Sequence, residues 1–265
     1  MPDAASGNGN SIVLETRELT KVFGGLTAVS RMDLVVRMGE ILSLIGPNGA
    51  GKTTVFNVVT GIYRPEGGDV FFQGEKITGW KPHRIVEKGI ARTFQNIRLF
   101  PNMTCLENVA AGQHCRGKAG VLSTLFRTGR QKEEEARFFD RAARSIDRVD
   151  LQRFRNELAK NIPYGRQRML EIARALATEP VLLVLDEPSS GLNPKETEEL
   201  MEFLKDLIRE DELTILLIEH DMNVVMGISD RVAVMEGGRK IAEGKPEEIY
   251  HDPKVIEAYL GKEDI

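Results

Sequence analysis

Cysteine is scarce in this chain: Cys105 and Cys115 are the two among 265 residues. Their spacing suits no metal site and their density no disulfide scaffold, so both are expected as reduced thiols without a functional role. Long apolar runs are missing too. No stretch approaches the roughly 18 apolar residues of a membrane span, and the opening MPDAASGNGN has neither the basic flank nor the apolar core of a signal peptide. These absences make the cytoplasm the expected compartment. Positive charge is not in excess either: a net charge of -4 leaves no global basic footprint, which argues against nucleic acid as a partner. No internal repeat or low-complexity tract interrupts the pattern.

What is present is an ordinary globular balance, 41% apolar and 29% charged, enough to bury a large core. The small, polar residues 1–10 read as a flexible leader, with order from Ser11. Residues 12–23 and 32–37 read as strands, and 40–45 is an apolar run ending in a glycine-rich turn before a helix-compatible stretch, 52–60. Composition shifts between 112 and 161, where Ala136, Phe139, Ala143 and Ile146 recur at helical spacing among charges, the mark of an inserted helical subdomain. Helix is then expected at 169–177 and 195–209, with buried strands at 181–185 and 213–218. Alternating strand and helix implies a parallel sheet. A hairpin over 231–242, turning at Glu236-Gly237-Gly238, and two short helices complete the expected order.

Gly46-Pro47-Asn48-Gly49-Ala50-Gly51-Lys52-Thr53 matches GxxxxGK[ST] and lies between an expected strand and an expected helix, where a phosphate loop belongs. Gly49 and Gly51 free backbone N–H groups to turn toward phosphate, and the helix behind them points its positive end the same way. Lys52 then reaches the β- and γ-phosphates, Thr53 offers a hydroxyl to Mg²⁺, and Thr54 adds a phosphate contact. Out of context the same letters could be a structural glycine turn. Asp186 and Glu187 close the apolar run 181–185, at the strand end where ligands of open α/β sheets gather. Asp186 is a candidate for Mg²⁺ through water, and Glu187 for the base that polarises an attacking water, although two solvated strand-end acids would look alike. His220, just past 213–218, emerges on that edge as a γ-phosphate contact or a surface residue; Gln95, after 90–94, reads as readily as a surface amide.

Taken in order, GPNGAGKTT, TFQ, YGRQRMLEIARAL, LLVLDEPSSGLNP and LLIEHD resemble the ATP-binding-cassette family across nearly the whole chain. The resemblance implies an α/β phosphate-loop ATPase core with an antiparallel β portion and an inserted helical subdomain, here a single domain over 11–265 with the helical part at approximately 98–179 and the second half of the core at 180–265. It implies that Phe23 stacks on adenine, that Gln95 joins the nucleotide site and its Mg²⁺ to the membrane partner, and that His220 is the switch histidine beside the base Glu187. The usual LSGGQ signature is replaced by Ile162-Pro163-Tyr164-Gly165-Arg166, so the serine hydroxyl that meets phosphate in trans is missing. Gly165 and the helix N-terminus can still offer donors, with Arg166 adding charge. The dimer loop Ser190-Gly191-Leu192-Asn193 ends in asparagine where aspartate is usual.

Further likeness, in RTFQNIRLFPNMTCLENV, GLNPKET and the ending DPKVIEAYLG, is to the ATPase subunits of branched-chain amino-acid importers. That implies ATP and Mg²⁺ as ligands, integral membrane permease subunits and a second ATPase subunit as partners, and a periplasmic or extracellular substrate-binding protein acting indirectly. The urea importers and lipid exporters share every catalytic element. A soluble cassette acting on DNA or ribosomes usually brings coiled-coil insertions or a second cassette, and a phosphate-loop kinase leaves YGRQRMLEIARAL without a role.

Overall fold

The computed structural model describes residues 11–113 and 129–260, without the side chains of 129–137 and 260. The leader 1–10, Cys115 and the last residues of the chain lie outside that description, as does the side chain of Ala136.

Two sheets organise the molecule. The first is antiparallel, in the order β2-β1-β4-β5, from β1 (Ile12–Phe23), β2 (Leu26–Arg37), β4 (Gly67–Phe72) and β5 (Glu75–Lys76). The second runs β10-β9-β3-β8-β7-β6, from β3 (Ile41–Ile45), β6 (Ile90–Arg92), β7 (Leu182–Asp186), β8 (Thr214–Ile218), β9 (Arg231–Glu236) and β10 (Arg239–Gly244). All its pairings are parallel except the closing hairpin of β9 and β10. The strands β3, β7 and β8 are buried at every position, which is why they appear in the sequence as unbroken apolar runs. Because they are parallel, residues following each of them emerge on one edge.

Helix α1 (Lys52–Val59) follows β3 and lies between the sheets, where Val55, Phe56 and Val59 pack with Val29, Leu34, Leu182 and Val184. On the opposite face of the parallel sheet, α5 (Tyr164–Leu176) and α6 (Pro194–Asp211) bring Ile172, Leu200, Leu204 and Leu207 onto Leu183, Leu185 and Leu217. A third cluster joins α3 (Cys105–Gly112), α4 (Gly129–Arg148) and α5 through Val109, Ala142, Ile146, Leu170 and Ala173. Among the described side chains of α4, Ala142 and Ile146 are buried, with Val149 just beyond, so Ile146 lies where expected while Phe139 and Ala143 are half-buried. Two short helices, α8 (Pro246–Tyr250) and α9 (Pro253–Leu260), follow the closing hairpin as expected, and with α7 (Met222–Ile228), which precedes β9, they place Val225, Ile249 and Val255 on Val232 and Val234.

Several elements lie outside the expectations: β4, β5, α2 (Pro82–Lys88), α3 and α7. Strand β2 starts at Leu26, and α5 begins at Tyr164 with Pro163 as its N-cap, rather than at 169. Cys105 is a free thiol in the third cluster, and burial pushes its pKa up to about 11. No helix among the described residues is long and apolar enough to cross a membrane.

Candidate nucleotide site

Gly46 leaves β3 at φ 145, and a Cβ there would stand 2.1 Å from the carbonyl oxygen of Met235 on β9. Gly51, at φ 102, is pressed equally hard against the backbone of Ala28, its virtual Cβ 2.3 Å from that oxygen. Only glycine fits either position. Gly49, φ 81, faces open space. No side chain caps α1 and no acidic residue stands in its first turn, so its leading amides are left for an anion.

Lys52 is buried, and its Nζ donates to Gly46 O at 2.6 Å and Pro47 O at 3.1 Å. Desolvation lowers its pKa, opposed by the charges of Glu187 and Asp186, so these three side chains already share one electrostatic field. Here Lys52 also ties the loop closed through those two carbonyls. Thr53 is exposed and Thr54 half-buried beside it.

Asp186 ends β7 buried and paired: Arg92 on β6 donates from Nη2 to its Oδ2 at 2.8 Å. Nη1 of Arg92 reaches Asn57 Oδ1 at 2.7 Å and Thr60 Oγ1 at 3.1 Å, bracing the far end of α1. Glu187 sits at φ 48, unusual for a residue with a side chain, and its N–H donates to Ile218 O. Its Oε2 accepts from Gln95 Nε2 at 2.7 Å, and His220 Nδ1 stands 3.7 Å from the same oxygen. Gln95, Glu187 and His220 are therefore one cluster, assembled from the ends of three adjacent parallel strands. Buried Glu219 links the segments after β7 and β8, taking the N–H of Ser189 on Oε1 and that of His220 on Oε2.

Phe23 is 40% exposed, with Tyr63 edge-on at 5.2 Å and Lys21 Nζ 4.9 Å from its centroid, leaving an aromatic face to solvent. The signature residues gather elsewhere. Gly165 is buried against Glu196, whose Oε1 would lie 2.4 Å from an added Cβ, so this glycine has a packing reason to exist. Arg166 points to Glu199, at 3.9 Å, which already balances part of its charge. Asn193 caps α6: its Oδ1 accepts from Glu196 N, and Glu196 Oε2 accepts from Asn193 N, both at 3.0 Å. Its side-chain oxygen is thus committed within the chain, and the amide NH₂ is what it has to offer a partner.

Arg92, Arg168 and Glu219 are the residues that motif reading passed over. In the sequence they look like ordinary charges; their burial is the signal, and only the fold supplies it.

Chemically, this edge pairs an anion-binding loop with a carboxylate, an amide and an imidazole converging on one point, the equipment for phosphoryl transfer to water. The ABC transporter family profile matches residues 29–190. The chain belongs to the ABC transporter family. A second profile, described as a branched-chain amino acid ATP-binding cassette transporter, matches residues 239–265 of this ABC protein. Two relatives, the high-affinity branched-chain amino acid transport ATP-binding proteins BraF of Pseudomonas aeruginosa and LivG of Escherichia coli K12, are each 48% identical over 94% of this chain and 98% of their own. Among solved structures, a nucleotide-free cassette from an ABC transporter aligns with TM-score 0.83 at 32% identity, over 95% of this chain and 100% of the other. A dimeric cassette in a post-hydrolysis state, with ADP and Pi, aligns with TM-score 0.74 at 27% identity over 88% and 98%. The fold is that of an ABC ATPase cassette.

Proposed function

We propose that this ABC protein is the ATP-hydrolysing subunit of an importer for branched-chain amino acids, paired with a second cassette beneath integral membrane permease subunits at the cytoplasmic face. The observation that carries the ATPase reading is the convergence of Gln95 and His220 on one oxygen of Glu187, on the strand edge that also bears the phosphate loop. The substrate reading is carried by the shared names and the near-complete coverage of BraF and LivG. Delivery by a periplasmic or extracellular binding protein belongs to the same reading, as does the treatment of 11–265 as one cassette with its helical part at about 98–179.

In this reading, Gly46 to Thr54 wrap the phosphates in backbone amides, Lys52 exchanges its two carbonyls for β- and γ-phosphate oxygens, and Phe23 stacks on the base. Mg²⁺ suits the donor set: a threonine hydroxyl, the Asp186 oxygen not taken by Arg92, and the Gln95 carbonyl left free by its Nε2 contact with Glu187, with phosphate and water completing the shell. Bound there, it would offset negative charge on the phosphates. Glu187 accepts a proton from the attacking water, and His220 holds that water and the γ-phosphate in line. Pro163 to Arg166 and Ser190 to Asn193 face the second cassette, whose ATP then acts as an interface ligand favouring the closed pair.

Glu187→Gln tests this directly. It keeps the shape and an acceptor for Gln95, so ATP binding should persist while steady-state hydrolysis falls about 10²- to 10⁴-fold. Hydrolysis within a few-fold of the parent would remove Glu187 from the role of base. Leucine uptake by vesicles carrying the co-purified complex, with urea as competitor, tests the substrate.

A further inference from the structure

Arg168 brings a guanidinium into the core with no exposure at all. Such burial is unfavourable unless the donors find acceptors, and the acceptors here come from separate parts of the chain. Nη1 donates to Phe94 O at 2.8 Å and to Glu171 Oε2 at 3.1 Å. Nη2 donates to Gln95 O at 2.8 Å and reaches the Tyr164 hydroxyl at 3.4 Å. One planar fork therefore holds two successive carbonyls of the loop bearing Gln95, a task suited to arginine and not to lysine. Glu171 adds to the grip, since its Oε1 accepts from Arg98 N at 3.2 Å, farther along that loop.

The path continues from Tyr164. Its hydroxyl donates to Ser190 O at 3.3 Å, and its ring edge fills the space beside Gly191, where a Cβ would stand 2.9 Å from Cε1. Ser190 N in turn donates to Glu187 O at 3.2 Å, and Glu187 Oε2 accepts from Gln95 Nε2. Glu187, Gln95, Arg168, Tyr164 and Ser190 thus form a closed ring of hydrogen bonds. The tyrosine is one of the departures from the usual signature, and in this ring it links two segments that a glycine could not join.

We propose that Arg168 and Tyr164 are positioning residues of an intrachain relay, which transmits the state of the Gln95–Glu187 pair at one nucleotide to the signature and 190–193 segments that address the other. The inference rests on the reading of the chain as a paired ATPase. When Gln95 turns its side-chain carbonyl to a ligand, its backbone carbonyl shifts, and the guanidinium holding it draws on the first turn of α5 and, through Tyr164, on Ser190. Coupling of this kind is reciprocal, so engagement of α5 and the 190–193 loop by a second cassette also sets Gln95.

The test measures ATPase rate against ATP concentration for the full chain in its purified membrane complex. Tyr164→Phe removes the hydroxyl and keeps the ring against Gly191; Arg168→Lys keeps a positive charge beside Glu171 but cannot span two carbonyls. The parent should respond sigmoidally to ATP. Tyr164→Phe should move the Hill coefficient toward 1 and lower kcat by about 3- to 10-fold, the scale of the two long hydrogen bonds that its hydroxyl makes, with ATP affinity in the absence of Mg²⁺ unchanged. Arg168→Lys should move both further in the same direction. A hyperbolic parent curve, or a Tyr164→Phe protein that keeps the parent's Hill coefficient, overturns the relay whatever its kcat. A parent complex that hydrolyses no ATP overturns the ATPase reading instead.

Discussion

Residues 46–51 enter α1 through three glycines with positive φ, whereas 162–165 enter α5 through a proline N-cap and one glycine packed on a neighbouring acid. Both segments begin a helix that offers its amide end, yet the first is shaped by backbone against backbone and the second by side chain against side chain. A backbone contact has no give: Met235 O and Ala28 O cannot step aside for a Cβ. A side-chain contact such as Glu196 on Gly165 can rotate away at the cost of the bond its Oε2 accepts from Asn193 N. The first kind of site therefore tolerates almost no variation in its letters, while the second tolerates a signature that has lost its serine.

The comparison breaks first at Gly46. Gly46→Ala should destabilise the fold by about 3–5 kcal/mol, since a buried backbone must move, and a denaturant titration reads this without nucleotide. An effect below about 1 kcal/mol would mean that the contact with Met235 is soft. Next is Lys52→Ala, which should abolish the rise in melting temperature given by ATP and also weaken the nucleotide-free protein by about 1–3 kcal/mol, through the lost bonds to Gly46 and Pro47. Full stability without ATP would show those bonds to be incidental. Gly165→Ala should cost about 1–2 kcal/mol, and in a Glu196→Ala background the same change should cost much less, a coupling that a double-mutant cycle measures. Additive losses would place the strain elsewhere. Smallest is Pro163→Ser: a serine N-cap adds about 0.5–1 kcal/mol to α5 while greater freedom in the unfolded chain offsets a similar amount, so the net change should stay within about 0.5 kcal/mol.

The same contrast explains what could be read from the letters. Strands β3, β7 and β8 stand out because burial on both faces leaves them uniformly apolar, and the turn after β3 stands out because positive φ and close approach demand glycine at set intervals. The segments β4 and β5 carry no such mark, since they owe their form to pairing with β1 and with each other. Helix α2 buries only Ile85 and so shows no apolar stripe. For α3 a legible sign did exist, the reciprocal cap between Thr104 and Glu107 just ahead of the apolar residues. The ring through Arg168 had none, because its carbonyl partners lie 73 and 74 positions away and no short-range spacing encodes them. Arg92 is similar, with its carboxylate 94 positions distant.

Glu187 illustrates how selection acts on such a molecule. Its backbone lies at φ 48, a region that asparagine or glycine occupies with less strain than glutamate. A laboratory screen for heat resistance alone would therefore be expected to enrich Glu187→Asn or Glu187→Gly, trading turnover for a higher melting temperature. Exposed Glu18, Glu179 and Glu212 share this backbone region, so what sets Glu187 apart is its place beside Gln95 and His220, and drift toward asparagine there in a copy of this chain would be an early sign of lost activity.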